Sequence, residues 1–338
     1  MNRFLVRIRG STFEGDTLMC NHRFILKAVL VAAMFGAAIQ LRAEPKGENC
    51  GAHSLIVATG TEANRGYSGL FADIEKVCGQ VAPLCELNTT GGLDNLNALS
   101  TKEADLGFAQ VDIWSMVKDG DDNISSLQAV AGLNSNYLHV VTSAKGFVIT
   151  VQKKLFGFIP IGVDEKHVMI QRFSDLRGQR VALVGSAKFL VRQLDKFLDY
   201  RLDMVDVNSE AMAFDMVLKG EAAAALLVSG WPSGLIAPLK QSSGLTLVPY
   251  DGQLFGNGRL FVKPISYQGL GVYNNNALAI PNVLFTRPFR GEKSRDVMKL
   301  RECLKSKLLD LQEGNYQPGW NEIKDIDNTY DVPRFVGK

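Results

Sequence analysis

Short apolar segments that end in Gly, Ser or Thr alternate with segments of helical periodicity along most of this 338-residue chain. In the first half, strand-like segments occupy 54–58, 84–87 and 104–109, and helical ones occupy 66–77 and 93–99. The pattern returns after residue 173, with strands at 180–184 and 222–228 and helices at 189–198 and 209–218. Because strands connected through helices form parallel sheets, the sequence predicts two α/β lobes.

The end of the chain returns to strand character. Further strand candidates lie at 127–131, 137–141, 245–249, 277–281 and 283–286, and a long amphipathic helix is predicted at 294–311. We therefore predict that residues 44–145 open the first lobe, that 146–249 form the second, and that 250–338 return to the first lobe with a C-terminal helix.

The N-terminal segment predicts export. Arg23 and Lys27 precede an apolar run of 12 residues, 28–39, which Leu41-Arg42-Ala43 follows. A membrane-spanning helix needs about 20 apolar residues, so this run fits the h-region of a signal peptide better. We interpret residues 1–43 as a signal peptide and expect a periplasmic protein.

Charge argues against a polyanion as partner. The chain has 37 Lys and Arg residues against 35 Asp and Glu residues, and removing residues 1–43 leaves a formal net charge of −2. A basic excess, the usual mark of a nucleic-acid-binding domain, is missing. We expect no nucleic acid partner.

Four cysteines follow the signal segment: Cys50, Cys78, Cys85 and Cys303. An even number in an oxidising compartment predicts disulfides, and four cysteines allow three pairings. The short Cys78–Cys85 segment favours a local bridge, with Cys50–Cys303 as the second. Zinc is the alternative, but neither CxxC nor HxxxH spacing occurs, so we expect no metal and no cofactor.

Three predicted strands end in small and polar residues. These loops are Thr59-Gly60-Thr61, Thr89-Thr90-Gly91-Gly92 and Gly185-Ser186. Ligands of open α/β sheets bind beyond the carboxyl ends of the strands, where helix N-termini present backbone N–H groups. Helix caps and tight turns use the same residue types, so each loop alone has a purely structural alternative.

Several segments resemble one family of solute receptors. The similar segments are Leu55-Ile-Val-Ala-Thr-Gly60, Thr89-Thr-Gly-Gly-Leu-Asp-Asn-Leu96, Glu103-Ala-Asp-Leu-Gly-Phe-Ala-Gln-Val-Asp112, Asp175-Leu-Arg-Gly-Gln-Arg-Val181 and Ile280-Pro-Asn-Val-Leu-Phe-Thr-Arg287. In this order they resemble the TAXI-class binding proteins of tripartite ATP-independent periplasmic (TRAP) transporters. The resemblance implies a type II periplasmic-binding-protein fold, which has two α/β lobes, a hinge and a ligand cleft between the lobes.

The resemblance also implies a function. We expect an extracytoplasmic receptor, monomeric, that delivers a small organic ligand to TRAP-type permease subunits. The ligand itself does not follow from the resemblance, but Lys188, Arg65 and the amide-rich turns suit a carboxylate-bearing one. The residues expected to bind the ligand are Thr59, Gly60, Thr61, Tyr67, Thr90, Gly91, Gly92, Asn95, Gln110, Asp112, Ser186, Lys188 and Trp231. Asp112 has an alternative role as a helix N-cap, Trp231 as a filler of the hinge region, and Lys188 as a solvated helix-end cation.

The sequence also departs from the family pattern. Residues 146–172 are longer than the usual crossover and include the apolar stretch 155–163, which suits a docking surface. A sensor that docks on a membrane signalling protein is therefore the alternative function. An enzyme is not expected, because no GxSxG elbow, P-loop or dinucleotide fingerprint occurs.

Overall fold

The computed structural model describes residues 50–51, 53–60, 66–155, 158–255 and 259–337. The predicted signal peptide and Thr61 lie outside these ranges. The strands are β1 Leu55–Ala58, β2 Leu84–Leu87, β3 Leu106–Gln110, β4 Gln128–Ser143, β5 Phe147–Leu155, β6 Ile159–Val168, β7 Arg180–Val184, β8 Asp203–Val207, β9 Ala224–Ser229, β10 Leu245–Leu247, β11 Phe261–Tyr267 and β12 Val272–Thr286. The α-helices are α1 Gly66–Cys78, α2 Gly92–Ser100, α3 Val111–Val117, α4 Asp122–Ser125, α5 Ala187–Leu198, α6 Glu210–Leu218 and α7 Gly291–Glu313.

One sheet runs through both lobes in the order β2-β1-β3-β12-β4-β9-β7-β8. The strands β2, β1 and β3 are parallel in the first lobe, and β9, β7 and β8 are parallel in the second. Between these groups, β12 and β4 run antiparallel to each other and to their outer neighbours. The predicted fold class, a two-lobed α/β fold with two crossings, is confirmed.

Two long strands carry the chain between the lobes. In β4, residues 128–132 pair with the end of β12 in the first lobe, whereas 137–142 pair with β9 in the second. In β12, residues 282–286 pair with β3, whereas 272–279 pair with β11. The sequence patterns at 127–131 and 137–141 are therefore two halves of one strand, and those at 277–281 and 283–286 are halves of another. The lobe boundaries predicted from the sequence fell at 145 and 249, while these crossings lie inside β4 and β12.

Each lobe has its own apolar core, and both cores include residues of the long strands. Val130 and Leu284 pack with α1 and α7 in the first lobe, while Leu138 and Leu278 pack with α5 in the second. Helix α1 shows how the sequence produces this packing, since its buried residues Leu70, Phe71, Ile74 and Cys78 share one helical face.

The apolar insertion forms a β-hairpin. Strands β5 and β6 pair only with each other, as a separate two-stranded antiparallel sheet beside the second lobe. Phe147 at its base is buried in the second-lobe core, whereas Phe158 is 72% exposed and Val163 is 68% exposed. Sequence reasoning found the apolar character of this segment but not the hairpin.

The predicted cysteine pairing is wrong. The disulfides join Cys50 to Cys85 and Cys78 to Cys303, with Cα–Cα distances of 5.7 Å and 5.9 Å. Cys78 ends α1 on the face that packs against α7, where Cys303 lies. Cys85 is inside β2, and β2 pairs in parallel with β1, which begins five residues after Cys50. The elements thus separate Cys78 from Cys85 although the two are close in sequence.

We predict that both disulfides stabilise the first lobe. Their sequence separations are 35 and 225 residues, and the chain-entropy relation gives about 4 and about 5 kcal/mol for loops of these lengths. Peptide mapping of the oxidised protein should find the Cys50–Cys85 and Cys78–Cys303 links. The double variant Cys78→Ser/Cys303→Ser should unfold at lower urea concentration than wild type. Native thiol labelling of any of the four cysteines in the oxidised wild type would contradict this pairing.

Candidate functional site

The candidate site is a cleft of about 460 Å³ that both lobes line. The first lobe contributes the ends of β1 and β3 and the start of α2, and the second contributes the end of β7 and the starts of α5 and α6. Predicted site residues that line it are Gly60, Tyr67, Thr90, Gly91, Gly92, Gln110, Ser186 and Lys188. The structure thus brings together residues from four separate sequence segments.

Asn95 holds the first-lobe loops in place. Its side chain is fully buried, and its Nδ2 donates to the backbone carbonyls of Thr59 and of Phe108, the latter at 2.7 Å. Its Oδ1 accepts from the Thr89 hydroxyl at 2.5 Å. Because these bonds use both donors and the acceptor, Asn95 links the ends of three strands and is not among the residues that line the cleft.

Two predicted hydroxyl ligands bond within the protein. Thr59 is fully buried and its Oγ1 donates to Glu86 Oε1 at 2.9 Å, so only its neighbour Gly60 lines the cleft. Thr90 lines the cleft, and its hydroxyl donates to Asp94 Oδ2. Asp94, which sequence reasoning did not select, is therefore held at the N-terminal turn of α2.

Glycines with positive φ lie just before two of the helices whose N-termini line the cleft. Gly91, the N-cap of α2, has φ 133°, and Gly185, just before α5, has φ 57°. Residues with a Cβ rarely adopt these backbone conformations, so glycine is favoured at both helix starts. Ser186 is the N-cap of α5, and its side chain makes no capping hydrogen bond. Ser186 lines the cleft, and its hydroxyl does not bond to the backbone of the helix start.

The first-lobe wall of the cleft is aromatic. The Tyr67 ring stacks on Phe108 with centroids 5.5 Å apart and an interplanar angle of 15°. Its hydroxyl donates to Asn282 Oδ1 at 2.9 Å, which connects α1 to β12. Burial raises the pKa of Tyr67 far above its usual value, so this phenol is neutral at physiological pH. Gln110 is also buried at the end of β3, with its backbone opposite Asn282.

Three charged side chains line the cleft. Lys188 lies in the first turn of α5 and has no ion-pair partner within the described ranges. Asp94 lies at the start of α2 and Glu210 at the start of α6. The cleft thus holds one ammonium and two carboxylates, a pattern that fits a ligand with both an acidic and a basic group. Glu210 follows β8, a strand that the sequence analysis did not predict. Its position at the cleft was therefore not predicted either.

Asp112 does not line this cleft. It borders a separate cavity of about 120 Å³ together with Ser115, Gln193 and Arg259. Burial raises its pKa to about 6, and its Oδ1 has no hydrogen-bond partner among the described residues. The alternative N-cap role is not found either, because Gln110 occupies the N-cap position of α3.

Trp231 belongs to an adjoining compartment. This compartment has a volume of about 470 Å³ and shares Tyr67, Asn136 and Gly230 with the cleft. The indole Nε1 donates to the Ser266 carbonyl at 3.2 Å, and the ring packs at the edge of the second-lobe core. Asn136 and Ser229, which border both spaces, were missed because they lie inside strands, where sequence alone gives no sign of a cleft.

The Ala-Asp-Leu-Gly motif, on which the family resemblance depends most, has a structural role. Asp105 is 2% exposed and bonds to Arg287 Nη2 at 3.0 Å and to Lys293 Nζ at 2.7 Å. Its Oδ2 also accepts from the Ile56 amide at 3.1 Å. A Cβ at Gly107 would lie 3.3 Å from the Asn95 carbonyl oxygen, so this glycine permits α2 to pack closely. The Asp105 bonds therefore join the starts of β1 and β3 to the end of β12, at the opposite end of these strands from the cleft.

Neither a metal site nor a membrane-spanning helix is found in the part of the chain that the structure describes. No group of three or more His, Cys, Asp or Glu side chains is arranged there to hold a metal ion. No helix there is both long enough and apolar enough to cross a bilayer.

Solved structures of similar fold are found among known proteins. No protein-family model matches the chain. The protein Tv2483 bound to L-arginine is 11% identical over 82% of this chain and 94% of its own, with a TM-score of 0.48. The GluR0 ligand-binding core in complex with L-glutamate is 11% identical over 77% of this chain and 96% of its own, with a TM-score of 0.47. An arginine transport periplasmic binding protein from Legionella pneumophila is 11% identical over 76% and 94%, with a TM-score of 0.43.

We predict that Asp112→Asn stabilises the protein at neutral pH. Because the pKa is about 6 in the folded state against an ordinary 3.8, the folded state binds the proton more tightly than the unfolded state. The ionised carboxylate therefore costs free energy above pH 6, and this cost disappears as the pH falls toward 4. At about 1.4 kcal/mol per pH unit, the gain above pH 6 should be about 2–3 kcal/mol.

The measurement is urea unfolding of wild type and variant at pH 4.5 and pH 8. The gain should be large at pH 8 and small at pH 4.5. The exposed Asp119→Asn, from the turn after α3, serves as control and should change little at either pH. An equal gain at both pH values would contradict the proposed cost of the buried carboxylate.

Proposed function

We propose that this protein is an extracytoplasmic solute receptor that closes its two lobes around a small ligand bearing a carboxylate. The observation that carries the proposal is the cleft itself, since helix starts and strand ends from both lobes converge on one space of about 460 Å³. Such a volume suits a small molecule, and a cleft between two lobes permits hinge closure.

Lys188 and the start of α5 form the part of the cleft that fits a carboxylate. The N-terminal end of the helix, the Ser186 hydroxyl and the Lys188 ammonium, which has no ion-pair partner among the described residues, lie within one turn. Asp94 and Glu210 supply acceptors for a cationic group on the same ligand. An amino acid is the simplest molecule that carries both charges.

A TRAP-type permease is the proposed membrane partner. Support for this class comes from the sequence resemblance of residues 55–60, 89–96 and 103–112 to the TAXI-class receptors. We further propose that the predicted signal peptide exports the protein to the periplasm and that the receptor acts as a monomer. Predicted ligand contacts on the cleft wall are Gly60, Tyr67, Thr90, Gly91, Gly92, Gln110, Ser186 and Lys188.

A ligand sensor is the second candidate function. The exposed apolar side chains Phe158, Ile161 and Val163 on the hairpin favour a contact with another protein, which a sensor and a transport receptor both need. Deletion of the gene separates the two functions. Loss of ligand uptake supports transport, whereas normal uptake with loss of a ligand-dependent transcriptional response supports sensing.

We predict that Lys188→Gln weakens ligand binding. Native mass spectrometry of the purified protein should reveal a co-purified acid, and calorimetry with the twenty common L-amino acids, succinate and 2-oxoglutarate should find a one-to-one complex. Hydrogen bonds to charged groups contribute about 1.5–3 kcal/mol, so Lys188→Gln should weaken the complex about 10–100-fold. Lys196→Gln, an exposed lysine near the end of the same helix, should bind like wild type. If no acid binds, or if both variants bind like wild type, the assignment of the carboxylate site is wrong.

We also predict that the bound probe closes the lobes. Gly91 belongs to the first lobe and Ser186 to the second, and both line the cleft. A ligand that prefers the closed state shifts the equilibrium toward it. Saturating probe should therefore reduce the radius of gyration in solution scattering and slow amide exchange near both residues. Protection near one residue only, with an unchanged radius, would indicate a rigid binding site on one lobe.

A further inference from the structure

The compartment next to the cleft differs from it in chemistry. Its walls come from the two crossing strands, from the loop after β9 and from the segment 317–319. None of the described side chains that line it carries a charge, whereas the cleft holds Lys188, Asp94 and Glu210. An ionised group placed here would lose part of its hydration without a counter-charge from the described side chains, which is unfavourable. The compartment therefore suits an uncharged group.

Four carboxamide side chains line the compartment. They are Asn134 and Asn136 of β4, Asn282 of β12, and Gln317. Asn282 accepts from the Tyr67 hydroxyl at 2.9 Å and donates through Nδ2 to Asn136 Oδ1 at 3.2 Å. This chain of bonds fixes the amide orientations along both crossing strands. An amide both donates and accepts, as a hydroxyl does, so a hydroxyl-bearing ligand matches this wall.

Asn134, which lines the compartment, has a buried hydrogen-bonding group without a partner among the described residues. Its side chain is 8% exposed, and its Oδ1 has no hydrogen-bond partner among the described residues. Its Nδ2 reaches only the Ser135 carbonyl, at 3.5 Å. A Cβ at residue 319 would lie 2.7 Å from this Nδ2, so Gly319 makes room for the amide where it stands. Because a buried acceptor without a partner is destabilising, a ligand hydroxyl that reaches Asn134 Oδ1 and donates to it would remove that cost.

Two aromatic side chains complete the wall. Trp231 is the only one of the three tryptophans that is not buried, since Trp114 is 3% exposed and Trp320 is 0% exposed. Its Nε1–H is bonded to the Ser266 carbonyl, so what it offers the compartment is the apolar part of the ring. Tyr67 borders the same space. A sugar ring has apolar C–H faces and hydroxyl edges, which match aromatic and carboxamide side chains, respectively.

We propose that this compartment is a second ligand subsite, which binds the uncharged, hydroxyl-rich ring of a neutral sugar of pyranose size. The proposal rests on the proposed receptor function, because the compartment adjoins the same cleft. It adds a chemical class to that function: the charged cleft receives the ionised end of a ligand, and the amide compartment receives an uncharged polyol end or a free sugar.

The test uses the full mature chain and a panel of neutral sugars: D-glucose, D-galactose, D-xylose, maltose and cellobiose. Binding is measured by calorimetry and by tryptophan emission, to which the partly exposed Trp231 should contribute the ligand-dependent change. At least one sugar should bind and shift the emission. Asn134→Ala should weaken that binding tenfold or more, while Asn97→Ala, an exposed asparagine on α2, should leave it unchanged.

A second variant keeps the test decisive if Asn134→Ala fails to fold. Trp231→Phe should abolish the emission change and weaken the sugar complex. Sugar binding that neither Asn134→Ala nor Trp231→Phe weakens would overturn the subsite, because the sugar would lie elsewhere. If no neutral sugar binds while the acids bind with Lys188 dependence, the subsite is overturned and the receptor function stands. If neither class of probe binds, both proposals fail.

Discussion

The antiparallel pairing of β4 with β12 is the constraint on which the rest of the structure depends. Residues 278–281 of β12 pair with 138–135 of β4 at the middle of both strands, and beyond this point each strand enters a different lobe. Leu138 and Leu278 belong to the second-lobe core, while Val130 and Leu284 belong to the first. A single antiparallel ladder therefore positions two groups of parallel strands of one sheet relative to each other, and the cleft lies between their lobes.

The same ladder explains why the cleft has two chemically different parts. Parallel strands end at helix N-termini, which expose amides and admit charged residues such as Lys188 and Glu210. The crossing strands instead present side chains from within β-structure, and at this depth an uncompensated charge would be costly. The neutral side-chain amides of Asn134, Asn136 and Asn282 provide hydrogen-bonding groups there without a charge. The charged side chains of the cleft thus lie at helix starts, and the described residues of β4 and β12 that line the compartment are uncharged.

Local patterns predicted the elements well and the long-range pairings poorly. Apolar periodicity located α1, α5 and α7 because one buried face repeats along each helix. It divided β4 and β12 into halves, since each long strand changes its neighbours between the lobes. The cysteine pairing was wrong for a related reason: the packing of α1 on α7, which brings Cys78 to Cys303, spans 225 residues and leaves no local signal. In the site, glycine turns identified Gly91, Gly185 and Ser186. Whether Asp112, Asp94 and Asn136 line the cleft depends on the direction in which their side chains point, and only the folded chain determines that direction.

The disulfides bear on how the two lobes can move. Cys50–Cys85 joins the chain before β1 to β2, and Cys78–Cys303 joins α1 to α7, so both bridges lie within the first lobe. The four cysteines are the only ones among the described residues, so the second lobe has no covalent link of this kind there. The proposed closure would strain neither bridge, because each joins elements of the first lobe. In this proposal the bending falls in β4 and β12 near residues 134–137 and 280–282, where both strands change partners. Asn134, Asn136 and Asn282 lie in these stretches, so a group bound to their amides would contact the hinge itself and would bias the lobes toward whichever arrangement aligns those amides best.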